Sequence, residues 1–155
     1  MNRSTLRASV VIASFGALLV GYAEAQMAQV GSGDIVADRQ RLMKLNGASA
    51  KDLNDKLKAG QIEAMAVNAE TIAINAQHIP ALFPPGSMTD KSNAKPEIWE
   101  KKADFDAAAK TLQVKAEEIR DAAKAKDQAK VEALMNDFGR TTCGACHTPF
   151  RKPIN

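Results

Sequence analysis

Aromatic side chains are scarce in this chain. Its 155 residues include five Phe, one Trp and one Tyr, and the Tyr falls within the first 25 residues. An interior that must be aliphatic and alanine-rich favours closely packed helices over a β-sandwich. A strong charge of one sign is lacking too: 21 basic residues face 18 acidic ones, for a net charge of +3. The basic residues are dispersed, so nothing points to nucleic acid as a partner. There is no low-complexity tract and no repeat at a period of about 20 to 50 residues. Nucleophile elbows, phosphate loops and paired carboxylates in a suitable setting are missing as well, which argues for a carrier rather than an enzyme.

Long apolar runs are absent. The longest, Ala8 to Tyr22, has about 15 residues, short of the roughly 20 that a membrane span needs. Arg3 and Arg7 precede it, and Ala23-Glu24-Ala25 follows with small residues at the positions a signal peptidase reads. The expectation is a signal peptide over residues 1–25, cleavage after Ala25, and no stable membrane span after processing. Residues 26–155 then suit a single domain with one core. Losing two Arg and one Glu with the leader lowers the net charge from +3 to +2.

Cysteine and histidine are rarest of the chemistry-bearing residues, at two of each. Three of those four fall in Cys143-Gly144-Ala145-Cys146-His147. A structural zinc site normally gathers four Cys/His ligands, and His78 is far away in sequence. A redox dithiol is expected beside a βαβ pattern, and no strand pattern is present. A plain disulfide leaves His147 unexplained. C-x-x-C-H is instead the attachment signature of a c-type haem. Thiols three positions apart lie on neighbouring faces of one helical turn, so both can add to the two vinyl groups on one side of a porphyrin. The adjacent imidazole then reaches the iron as proximal ligand. One covalent haem c would also supply the flat apolar mass that the side chains do not. Its attachment outside the bacterial inner membrane fits the leader and predicts a periplasmic location.

Four helical patterns run through the mature chain. Asp34 is an N-cap candidate for a helix from Ile35 to about Lys58, with Val36, Met43, Ala50 and Leu57 seven apart. Arg39, Asn46 and Gly47 interrupt that stripe, as they would if something other than a helix lay against it. Gly60 suits the stop. A second helix is predicted from about Ile62 to Ile79, ended by Pro80. Residues 80–96 form a connection long enough to suggest a role in covering a site. Pro96 opens a third helix carrying Ile98, Phe105, Leu112 and Ile119. It should end near Lys124 to Lys126. Asp127 starts a fourth, with Val131, Leu134 and Phe138 leading into the haem-binding turn, and Pro149 should kink or finish it. The predicted fold is all-α, an antiparallel four-helix bundle with haem near the C-terminal end of the last helix.

These residues resemble the class II c-type cytochromes, the cytochrome c prime family, over essentially the whole mature length. The matching features are C-x-x-C-H close to the C-terminus with Phe150-Arg151 after it, and Pro96-x-Ile98-Trp99 opening the third helix. Arg41-Leu42-Met43-Lys44 and Leu82-Phe83-Pro84 also match. The resemblance is closest to the low-spin branch, in which a first-helix Met fills the sixth iron position; that residue maps onto Met43. The other branch leaves the sixth site open or covers it with an apolar side chain, and its five-coordinate iron binds nitric oxide or carbon monoxide. Family members are often homodimers through the first two helices.

The residues themselves leave the sixth ligand between Met43, an open or apolar site, and another donor. Met43 sits where the first helix's stripe breaks. Met135 shares a helix with His147, about 18 Å along it, and cannot cap the opposite face. Met65 fits a core stripe, Met88 lies in the crossover, and His78 ends a helix. A Met/His pair would make the protein a one-electron carrier serving a periplasmic redox partner; an open site would bind gas. Arg39, Arg140 and Arg151 are candidates for the haem propionates, Trp99 for the porphyrin edge, and Lys44, Lys101, Lys102 and Lys152 for a positive rim.

Overall fold

Asp34 begins the first helix as its spacing predicts. Its carboxylate accepts hydrogen bonds from the amides of Val36 (2.9 Å) and Ala37 (3.1 Å), two donors that the first turn would otherwise leave unpaired. The computed structural model of the protein describes residues 32–153; the expected leader lies outside the described residues. Helix α1 spans Ile35–Lys58 and α2 Met65–His78. Between them Gly60, at φ +67°, takes the left-handed position, with Gln61 N bonded to Lys56 O and Gly60 N to Leu57 O. That is the Schellman arrangement, and it satisfies two carbonyls at the end of α1. Ile62, expected to open the second helix, lies in a turn ahead of it but is still buried.

The third helical stretch is divided. A short turn, α3 (Glu97–Glu100), precedes α4 (Lys102–Lys124), and Lys101 departs from helical geometry at φ −119°, ψ 49°. Neither Pro nor Gly marks this break, so a period-based reading runs straight through it. Ile98, Phe105 and Ile119 nevertheless all face the core, at 2%, 2% and 0% exposure. Trp99, on the near side, donates from Nε1 to Pro84 O at 2.8 Å and packs against Phe83. The turn thereby joins the long crossover to the bundle.

The last stretch comprises α5 (Gln128–Met135), a π-helical segment (Gly139–Gly144) and α6 (Ala145–Phe150). The last helix finishes at Phe150, one residue beyond Pro149 as that proline predicts, and an irregularity that the spacing does not predict falls earlier, in the π segment. Two glycines bound the π segment, and the hydroxyls of Thr141 and Thr142 donate to the carbonyls of Asp137 and Phe138 four residues back. Such back-bonding competes with the α ladder and bends it. The chain leaves α6 in extended form at Arg151, which forms an antiparallel bridge with Ala94.

These elements make an all-α, antiparallel four-helix bundle. Its core is aliphatic and small: Ala66, Ala69, Ala73 and Ala76 of α2 are buried against α4, which contributes Ala109, Ala116 and Ala123. Small side chains let helix axes approach at the short end of the usual range. Helix α1 differs. Among its buried residues are Arg39 and Ser49, with Leu53 as the only apolar one, while Leu42, Met43, Ala50 and Leu57 pack on the core only partly buried.

Lys126, between α4 and α5, adopts φ +58°. Its amide and that of Asp127 close a second Schellman turn onto Ala123 O and Ala122 O. A side chain at that position costs about 1 kcal/mol relative to glycine. Lys126→Gly is therefore expected to raise stability by about that amount, read as a higher urea midpoint at unchanged slope.

Candidate functional site

The partly buried face of α1 borders a slot. Two cavities, of about 190 and 220 Å³, share Met43, Ile79, Cys146 and His147 in their walls. The first is also lined by Val36, Arg39 and Gln40 of α1, by Ser92, Asn93 and Ala94 of the crossover, and by Phe150 and Arg151. The second reaches Asn46, Gly47 and Ala50 of α1, Ala108, Ala109 and Leu112 of α4, and Cys143 with Phe138 and Thr142.

The π segment sets where the thiols stand. Cys143 is its fifth residue and Cys146 the second residue of α6, so the motif spans a change in helical winding. Neither cysteine is in a disulfide, and both are partly exposed. Cys143 faces the second cavity only, whereas Cys146 and His147 face both. Burial, and secondarily the neighbouring Cys143, push the Cys146 thiol up to about 11. Burial, then the positive charge of Arg151, hold the His147 imidazole below its usual value. A neutral imidazole is the form that can ligate a metal. Among the described residues no group of three or more His, Cys, Asp and Glu could hold a metal ion by itself.

Met43 is the one methionine among the residues lining the two cavities. Met65 is wholly buried in the core, Met88 is 53% exposed in the crossover, and Met135 packs on the core from α5. His78 is exposed at the end of α2. Arg39 lies one turn before Met43 and is 4% exposed. Its Nε donates to Leu82 O (2.6 Å), Nη1 to Ser87 O (3.1 Å) and Nη2 to Ser87 Oγ, and its guanidinium lies 4.2 Å from the Phe83 ring centroid. Burial lowers its affinity for the proton. All three of these oxygens are neutral, so its positive charge meets no carboxylate in this set of bonds. The crossover thus walls the first cavity, as its length suggested. Arg140 pairs with Asp137 at the surface, and Trp99 packs on Phe83; neither lines either cavity.

Spacing alone does not reveal Ser92, Asn93 and Ala94, because a loop has no period to read. Asn46 was visible only as an interruption. Its Oδ1 accepts from Asn75 Nδ2 at 2.8 Å, while its own Nδ2 is buried with no partner.

The donor set fits a covalently held porphyrin. Two thiols and an adjacent imidazole project from one turn into an apolar slot, with a thioether in its wall and a buried cation at one end. Such a bundle with such a turn defines a helical c-type haem protein. The family model described as Cytochrome C′ matches residues 34–151, and the chain belongs to that family. A cytochrome c-556 from Agrobacterium fabrum is 36% identical over 154 residues, covering 97% of each chain. A cytochrome c′ from Rhodopseudomonas palustris is 32% identical, covering 90% of this chain and 94% of its own. Among solved structures, a nitric oxide complex of a variant cytochrome c prime from Alcaligenes xylosoxidans is 28% identical. It covers 81% of this chain and 98% of its own, with a TM-score of 0.69. Cytochrome c′ from Rubrivivax gelatinosus, at 23% identity and a TM-score of 0.68, shares the fold. As a family member the chain carries one covalently attached haem c.

Arg39 fastens the crossover to α1. Arg39→Ala should cost at least about 2 kcal/mol, since hydrogen bonds from a charged donor contribute about 1.5–3 kcal/mol each. Arg39→Lys should recover only part of this, because an ammonium cannot reproduce the fork. Thermal unfolding of the two variants checks this: if only charge mattered, Arg39→Lys would unfold at the same temperature as the unaltered protein.

Proposed function

We propose that this protein is a periplasmic electron carrier whose haem c is attached through Cys143 and Cys146 and ligated by His147 and Met43. One observation carries the reading: Met43 on α1 and His147 on α6 both line the same two cavities. The haem iron supplies reversible one-electron chemistry. The chain's residues do the rest. Cys143 and Cys146 fix the attached edge at the second cavity, which leaves the polar end of the first cavity for the propionates. Arg39, a buried cation bonded to neutral oxygens, is the natural partner for a carboxylate there, with Arg151 beside it. His147 is held neutral and ready to ligate. Met43 offers a soft thioether that favours the ferrous state and excludes a second ligand.

The 1–25 leader supports export to the periplasm, and among the described residues no helix is long and apolar enough to cross a membrane. Exposed Leu45, Val67 and Ile74 on α1 and α2 support a homodimer through those helices.

A second reading is gas binding at an open or displaced sixth site. The comparisons favour it more than they favour electron carriage, because solved neighbours of cytochrome c prime hold nitric oxide. Met43 is the observation on the other side.

Absorption spectra of the oxidised and reduced protein, with and without carbon monoxide, separate the two readings. The Met/His reading expects a low-spin spectrum unmoved by carbon monoxide, and Met43→Ala becomes high-spin and takes up the gas. Ready uptake by the unaltered protein would install the second reading, and an unchanged Met43→Ala spectrum would remove Met43 as ligand.

A further inference from the structure

The C-terminal tail and the crossover are joined where the first cavity opens. Besides the Ala94–Arg151 bridge, Lys95 N donates to Phe150 O at 3.0 Å and Lys152 N to Asn93 O at 2.8 Å. Lys95 Nζ also donates to Thr148 O at 3.2 Å. This pairing brings together cations that lie about 60 residues apart in the chain: Lys91 and Lys95 with Arg151 and Lys152. None of them makes an ion pair among the described residues. Lys91, Arg151 and Lys152 are exposed. Lys44, next to Met43 on α1, is exposed and likewise without an ion pair. Asp90 and Glu97 are the acids of the same crossover stretch. By contrast Lys102 is engaged by Asp106 on its own helix.

We propose that this lip is the docking face for an acidic surface of a redox partner protein; the inference rests on the electron-carriage reading. The cations divide by position. Arg39 and Arg151 line the cavity and are placed to balance two propionates, whereas the four lysines are not among the lining residues. Along the paired crossover and tail, Lys91, Lys95 and Lys152 outnumber Asp90 and Glu97 beside the cavity that His147 lines. A fixed excess of this kind draws in partners of opposite charge and orients them on encounter. The backbone pairing holds the lip in place, because Lys95 and Lys152 are anchored through their own amides.

The test uses reduced holoprotein and two small oxidants of opposite charge, hexacyanoferrate(III) and tris(phenanthroline)cobalt(III), followed by stopped flow. At low salt, Lys91→Glu/Lys152→Glu should slow the anionic oxidant about tenfold and speed the cationic one, a shift within the range of electrostatic steering. The difference should vanish near 1 M salt, where screening acts over about 3 Å. Lys91→Gln/Lys152→Gln should give a smaller change of the same sign. Polyglutamate should slow the unaltered protein and leave the Glu variant unaffected. Rates that ignore the substitutions while the spectrum stays intact would overturn the docking face and leave electron carriage standing. Failure to exchange electrons with either oxidant, together with uptake of carbon monoxide, would instead overturn the carriage reading.

Discussion

The site depends on a gap that side chains do not fill. Helices α2 and α4 close on each other through alanines, and where they part, Ile72, Ala109 and Leu112 form one wall of the second cavity. Helix α1 packs on α2, yet towards the slot it presents Arg39, Met43, Asn46 and Gly47 instead of a continuous apolar stripe. A protein interior tolerates few voids of this size, because unfilled space forfeits dispersion contacts along its whole lining. A flat apolar group seated there would restore those contacts. The haem is therefore part of the core as well as the functional group, and folding and loading are thermodynamically linked.

Two devices keep the slot open in the right place. Arg39 spans from α1 to the crossover, binding Leu82 and Ser87 while covering Phe83. The bridge between Ala94 and Arg151 then joins the crossover to the end of α6. The crossover is thus tied at both sides of the cavity, to the helix carrying Met43 and to the helix carrying His147. The aromatic run Phe83, Phe105 and Phe150, with centroids 4.9 and 5.3 Å apart, continues the same connection through the core. Few aromatics are present in the chain, and these three stand together behind the site.

Much of this was legible in the sequence. The caps at Asp34 and Gly60, the heptad from Ile98 to Ile119 and the C-x-x-C-H turn are local signals, and each has a local cause. The interrupted stripe of α1 was legible too, because a break in periodicity marks a face that does not meet another helix. The Lys101 break and the π segment were not. Neither has a distinguishing residue: glycine and threonine in a helix are ambiguous until their carbonyl partners are known. Pro149 was legible as well, because the helix finishes one residue beyond it. The crossover wall was hidden for another reason. Ser92, Asn93 and Ala94 reach the cavity only through pairing with the tail, a long-range contact that no periodic reading contains.

The π segment bears on why the motif works where it does. Cys143 lies within it, and Cys146 and His147 lie in the α turn that follows. A wider turn before a regular one shifts the angular relation of the two thiols relative to a uniform helix. Thr142, 1% exposed and bonded to Phe138 O, fixes that shift from the buried side. The spacing of the cysteines thus sets only their separation along the chain. Which cavity each thiol faces is set by the winding of the helix between them, and that winding comes from threonine hydroxyls competing for backbone carbonyls.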